Sequence, residues 1–143
     1  MNRVDRGHRL LWCGLFLMLL GLLTGLLVPA VANPRMGLSA HLEGVMNGLL
    51  LAVLGLAWDR LALSERAETA LFGLAFYGAY ANWATTLLAA VFATNRRTPI
   101  AGAGYGGQPW QENLVEASQV ALAVAIIAAC VLALWGLRRR ADD

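Results

Sequence analysis

A histidine, a glutamate and an asparagine lie close together in the chain: His41, Glu43 and Asn47. Imidazole is a common ligand of metals and haem, a carboxylate can accept a proton, and an amide can orient a bound molecule through hydrogen bonds. All three lie at the start of a long apolar segment. Polar groups are expensive inside a membrane, where they usually face the protein interior and mark a working site. We therefore predict a functional site at this place in the chain.

Four apolar segments must position these residues, and they cover most of the 143-residue chain: about 10–31, 38–58, 67–93 and 113–137. Each exceeds the ~18–20 residues that cross a bilayer core. The composition is 59% apolar and 14% charged, against roughly 25% charged residues in a soluble domain. We predict an all-α integral membrane four-helix bundle, with residues 1–143 as one domain in the lipid bilayer. No basic face indicates a nucleic-acid partner.

The arginines predict the orientation of this bundle. Four spans place both termini and the 59–66 loop on one side, which holds most of the arginines: Arg3, Arg6, Arg9, Arg60, Arg66, Arg138, Arg139 and Arg140. By the positive-inside rule both termini are cytoplasmic, in a bacterial inner membrane. Residues 30–32 form an A-x-A motif, but we expect a retained first helix because its apolar run exceeds the ~7–15 residues of a signal core.

Polar residues of three segments converge on the outer half of the predicted bundle, and we expect no comparable set in the inner half. The third segment contributes Asn82, Thr85 and Thr86, and the fourth begins with Glu112, Glu116 and Gln119 at i, i+4 and i+7. Several of these polar residues also have a purely structural explanation. Acids near a helix N-terminus are favoured by the helix dipole, Asn47 and Asn82 can bond to each other, and the small residues can serve helix packing: Gly44, Gly48, Gly73, Gly78 and Ala81.

His41 is the only histidine near this set. The other histidine, His8, begins the first segment on the opposite side of the membrane, so the two cannot ligate one haem. Iron at His41 would have one histidine ligand and an open or weakly held sixth position. An open site suits chemistry better than simple electron transfer, where two strong axial ligands are usual. In the 94–111 loop, Tyr105 and Trp110 are expected at the membrane interface or over the pocket.

Two motifs resemble the styrene oxide isomerase family of haem b membrane isomerases. Residues 41–48, His-Leu-Glu-Gly-Val-Met-Asn-Gly, resemble its A-H-x(5)-N-G motif, and residues 80–82, Tyr-Ala-Asn, resemble its W-A-N motif on the third helix. These stretches and the 99–105 loop look closer still to the hydroxylaminobenzene mutases within that family. The chain departs from the epoxide isomerases at two positions, with Thr86 in place of a tyrosine and Gly78 in place of an aspartate.

The resemblance implies a homo-oligomer, expected to be a trimer, with haem b near a subunit interface and His41 as its axial iron ligand. It implies an isomerase that converts a small aromatic substrate, an aryl hydroxylamine, to 2-aminophenol. We predict Asn47 and Asn82 as catalytic, with Glu43 or Glu116 as the proton acceptor, and a substrate pocket lined by Thr86, Gly78 and Tyr105. An epoxide isomerase, a haem electron carrier and a haem-free transporter or structural bundle are the alternatives.

Overall fold

The computed structural model describes the backbone of residues 3–141 and the side chains of residues 4–138. Its long helices are α1 (Arg3–Leu27), α2 (Pro34–Ala57), α3 (Glu65–Phe92) and α5 (Pro109–Ala141), with a one-turn helix α4 (Pro99–Gly102) before α5. Turns of 3-10 helix follow α1 and α2 at Val28–Ala30 and Trp58–Arg60. No strand occurs in residues 3–141, and the all-α prediction is confirmed.

Local sequence signals determine where the helices begin. The side chain of Asn33 accepts hydrogen bonds from the main-chain nitrogens of Arg35 and Met36, and Pro34 occupies the first helical position. This is the usual N-cap arrangement, in which a side-chain oxygen satisfies otherwise unpaired amides. Ser64 caps α3 in the same way. α1 and α5 extend beyond their apolar runs at the arginine-rich ends, because arginine is a good helix former.

Among the described residues, three helices are long and apolar enough to cross a membrane: Val4–Ala30, Pro34–Arg60 and Pro109–Arg138. These agree with three of the four predicted spans. α3 has 28 residues, long enough to cross, but its amide, hydroxyl and glycine residues lower its hydropathy. That α3 also spans the membrane stays a prediction.

Glycines allow α1 and α2 to pack at backbone distance. α2 lies between α1 and α3, and α5 packs against α3. A Cβ atom built on Gly14 would lie 2.6 Å from the main-chain oxygen of Gly48, and one on Gly44 would lie 2.5 Å from the Cα of Gly21. Small residues permit such close approach of membrane helices. The packing role expected for Gly44 and Gly48 is therefore present, whereas a Cβ on Gly73 would meet nothing within 4 Å.

Changing Gly48 to alanine is expected to destabilise the protein by about 1–3 kcal/mol, because the added methyl group meets main-chain atoms that cannot rotate away. The matched control is Gly73→Ala, also in a helix but in open space, which should stabilise by roughly 0.5–1 kcal/mol through helix propensity. Thermal unfolding in detergent measures both changes. Equal effects at the two positions would contradict the close α1–α2 contact.

The end of the bundle where α1 and α3 begin, predicted to be the inner end, differs from the expectation because it holds a buried ion pair. NH1 of Arg6 lies 3.0 Å from Oε2 of Glu68, and NH2 donates to Oγ1 of Thr69 at 2.9 Å. Both charged residues are only 5% exposed. The sequence did not indicate this pair because its members are 62 positions apart.

Candidate active site

Glu43 joins two asparagines at the contact between α2 and α3. Its Oε2 atom accepts hydrogen bonds from Nδ2 of Asn47 at 2.9 Å and from Nδ2 of Asn82 at 2.5 Å. Nδ2 of Asn47 also donates to the main-chain oxygen of Glu43 at 2.8 Å. We call Glu43, Asn47 and Asn82 the Glu43 triad.

Helix periodicity explains why these three side chains meet. Glu43 and Asn47 are four residues apart and therefore lie on one face of α2. That face is turned toward α3, where Asn82 reaches it from the neighbouring helix. Three residues predicted as catalytic are thus brought together. The two asparagines meet through the carboxylate of Glu43, and the structure has no direct hydrogen bond between them.

His41 faces α1. Its Nδ1 lies 2.8 Å from the main-chain oxygen of Gly21, and its ring lies so close to Gly25 that a Cβ there would be 2.9 Å from Nδ1. Because a carbonyl oxygen only accepts hydrogen bonds, Nδ1 carries a proton, and in the neutral ring Nε2 then has the free lone pair. A histidine that binds metal through Nε2 has this same arrangement. The half-buried ring would therefore suit a role as a ligand of a haem iron.

His41 and the Glu43 triad point to different sides of α2. At ~100° per helical residue, a two-residue separation turns the side chains by about 200° around the helix axis. Accordingly His41 contacts α1, whereas Glu43 contacts Asn82 of α3. Within this chain the two predicted parts of the site therefore do not open onto the same space.

Other predicted residues of α3 are buried in helix contacts. Thr86 is buried one turn beyond Asn82. Gly78 lies against α5, since a Cβ there would be 2.5 Å from Cγ1 of Ile126. Gly78 therefore allows close packing of α3 against α5, and its contact with substrate stays a prediction.

Glu116 and Tyr105 belong to the outer loop region. Glu116 lies 3.4 Å from NH1 of Arg96, and the two side chains are 40% and 48% exposed. Tyr105 is exposed and its main-chain oxygen accepts a hydrogen bond from Asn95. None of the described hydrogen bonds joins either residue to the Glu43 triad.

Glu112 has a structural role in the same region. Its carboxylate accepts hydrogen bonds at 3.0 Å from the main-chain nitrogens of Asn95, Arg96 and Gly107. These three bonds anchor the two ends of the loop to the start of α5, and the side chain that makes them is buried. Its position in the first turn of α5 also suits the helix dipole.

The sequence reasoning missed Asn33, which is fully buried where three elements meet. Asn33 caps α2 through its Oδ1 atom, and it also makes contacts outside that helix. Its Nδ2 donates to the main-chain oxygens of Ala101 and Gly102 at 3.2 Å, and its main-chain nitrogen donates to the main-chain oxygen of Ala90 at 3.0 Å. The Asn-Pro pair is a recognisable helix start, but the contacts with α3 and α4 depend on tertiary structure. Trp83 was missed as well; its Nε1 donates to Oγ1 of Thr24 in α1 at 3.1 Å.

Comparison with known proteins agrees with the resemblance found in the motifs. Residues 6–138 match the family described as styrene oxide isomerase. The chain is 53% identical over 132 residues to hydroxylaminobenzene mutase HabB of Ectopseudomonas oleovorans, which covers 92% of this chain and 80% of that protein. It is 43% identical over 127 residues to hydroxylaminobenzene mutase HabA of the same organism, covering 88% and 94%. No solved structure matches significantly. The chain therefore belongs to the styrene oxide isomerase family and is an isomerase.

Proposed function

We propose that this isomerase moves a hydroxyl group within an aryl hydroxylamine, converting hydroxylaminobenzene to 2-aminophenol. The observation that carries the proposal is the Glu43 triad, which holds a carboxylate and two amides together between two apolar helices. The names of its two mutase relatives support the choice of substrate. Substrate and product are isomers, so no external oxidant or reductant is required.

We propose haem b as the cofactor, held through Nε2 of His41. The hydrogen bond from Nδ1 to the main-chain oxygen of Gly21 supports this assignment, because in the neutral ring it favours the tautomer that leaves Nε2 able to ligate iron. When bound, ferric haem supplies a Lewis acid that polarises the N–O bond of the substrate.

The residues of the Glu43 triad would direct the hydroxyl group to the ortho carbon and accept the proton that this carbon loses. Asn47 and Asn82 orient the hydroxylamine, which matters because recapture at the wrong ring carbon gives the para product. As the N–O bond breaks and the new C–O bond forms at the ortho carbon, the nitrogen takes up one proton to become the amine. The C–H bond at the ortho carbon then breaks and releases one proton, and the ring regains aromaticity. Glu43 is better placed than Glu116 to accept this proton, since it lies beside the two amides that orient the substrate, whereas Glu116 pairs with Arg96 in the exposed loop region.

A complete site on this proposal forms between copies of the chain. His41 and the Glu43 triad leave α2 on different sides, so the histidine of one copy would face the triad of its neighbour. This fits the homo-oligomer, a trimer, that the family resemblance implies. The long apolar helices support a location in a membrane. We propose the bacterial inner membrane, with both termini cytoplasmic, where an apolar aromatic substrate can enter from lipid.

Product analysis with isotope tests the proposal. The purified protein is given phenylhydroxylamine in water enriched in oxygen-18. Transfer within the molecule predicts 2-aminophenol without the label, because the hydroxyl oxygen never exchanges with solvent. Label in the product would mean attack by water, and absence of 2-aminophenol would refute the proposed substrate.

An epoxide isomerase is the second candidate, favoured by the family match over residues 6–138. Against it stand Thr86 and Gly78, which replace the tyrosine and aspartate of the epoxide isomerases, with Gly78 packed against α5. Incubation with styrene oxide separates the two candidates. Formation of phenylacetaldehyde at a higher kcat/KM than that for phenylhydroxylamine would favour the epoxide reaction.

A further inference from the structure

The amide of Asn47 has no hydrogen left for a ligand. Its Nδ2 donates to the main-chain oxygen of Glu43 at 2.8 Å and to Oε2 of the same residue at 2.9 Å. An amide nitrogen carries two hydrogens, and both are used inside the protein. Only Oδ1 of Asn47, a hydrogen-bond acceptor, remains for a bound molecule.

Asn82 is oriented by the same carboxylate. Its Nδ2 lies 2.5 Å from Oε2 of Glu43, which leaves Oδ1 and one N–H for a ligand. No described residue donates a hydrogen bond to Oδ1 of either asparagine or to Oε1 of Glu43. The Glu43 triad therefore offers three acceptor atoms and a single donor.

We infer that Glu43 is a positioning residue that turns both amides so that the site selects substrates carrying N–H and O–H donors. This deepens the proposed function and rests on it, because an aryl hydroxylamine carries both groups. An epoxide has no donor, so it would leave these acceptors desolvated and unpaired, which weakens its binding. A site built to hydrogen-bond a hydroxyl or amine rejects analogues that lack it far more strongly than an apolar pocket rejects a size change.

The role of Oε2 in orienting the amides can be separated from the role of Glu43 as a proton acceptor. In Glu43→Gln the new side chain keeps a carbonyl oxygen that accepts from both asparagines, but it loses the ability to take up a proton. In Glu43→Leu the acceptor is lost and both amides are free to rotate. The first variant exchanges Oε1 for an N–H2 group, so it should lower kcat while keeping the part of the donor selectivity that comes from the two oriented asparagine oxygens. The second should lose both activity and selectivity.

Binding of unreactive probes measures selectivity without turnover. The haem-loaded oligomer in detergent is titrated with benzyl alcohol, which has one O–H donor, and with benzyl methyl ether, in which that donor is capped. The measured quantity is the ratio of the two dissociation constants relative to the wild type, in which detergent partitioning of the probes cancels. Glu43→Leu should reduce the preference for the alcohol about tenfold, the equivalent of one hydrogen bond. Glu43→Gln should change it by less than about threefold.

A second variant keeps the inference testable if Glu43→Leu does not fold. Asn47→Leu removes one acceptor but leaves the contact between Glu43 and Asn82, and it too should weaken the preference for the alcohol. An unchanged ratio in both leucine variants, or an equal loss in Glu43→Gln and Glu43→Leu, would overturn the inference. Failure of the wild type to form 2-aminophenol would instead refute the proposed function, so the two failures are distinguishable.

Discussion

Replacing His41 with alanine is expected to abolish both the bound haem and the isomerase activity. On the proposed assignment the imidazole is the one protein ligand of the iron, and its Nδ1–H bond to Gly21 holds the ring in place. Absorbance of the purified protein measures the first effect through the Soret band, and 2-aminophenol formation measures the second. His8→Ala is the matched control, because that exposed histidine lies at the other end of the bundle and should keep both.

Mixed oligomers test whether His41 and the Glu43 triad act across an interface. His41→Ala and Asn47→Ala copies are each expected to be inactive alone. Co-expressed in equal amounts, they should recover about a quarter of the wild-type activity, because a random cyclic oligomer pairs an intact histidine with an intact triad at about one interface in four. No recovery, with mixed oligomers shown to form, would place both parts of the site in one protomer.

Arg6→Leu is expected to lower the free energy of unfolding by about 3–5 kcal/mol, because it removes the guanidinium from a buried carboxylate. Glu68 would lose its 3.0 Å partner while both positions stay shielded from water. Denaturation in detergent measures the loss. Arg96→Leu is the control, since its pair with Glu116 is about half exposed and should contribute at most about 1 kcal/mol. Similar losses in the two variants would contradict the difference in burial.

Helix periodicity made much of the site predictable. The four-residue spacing of Glu43 and Asn47 placed them on one face, and the polar residues of α3 pointed to the same depth. The two-residue step from His41 to Glu43 already implies divergent directions, although the sequence reasoning treated them as one pocket. Which partner each side chain takes was not predictable in this way. Glu43 bonds to a residue 39 positions away.

Residues at the ends of the helices were the least predictable. The cap formed by Asn33 follows from its neighbours in sequence, but its contacts with Ala101 and Gly102 depend on how the outer loop folds. The sequence position of Glu112 is compatible with a catalytic role and with a role at a helix end. The three hydrogen bonds that its carboxylate accepts from loop nitrogens show the structural role, and they depend on the fold of the loop. Capping and periodicity rules describe a single helix, whereas the contacts of Asn33 and Glu112 join segments that are separate in the sequence.

The bond from Asn47 to the carbonyl one turn earlier has a consequence for the speed of the reaction. A side chain tethered to its own helix has already lost its rotamer freedom when the protein folds, so little further entropy is lost when a guest molecule arrives. Such a rigid amide needs no lid or loop closure to become competent. We therefore expect the conformational part of the activation barrier to be small, with turnover governed by chemistry or by escape of the product into the bilayer.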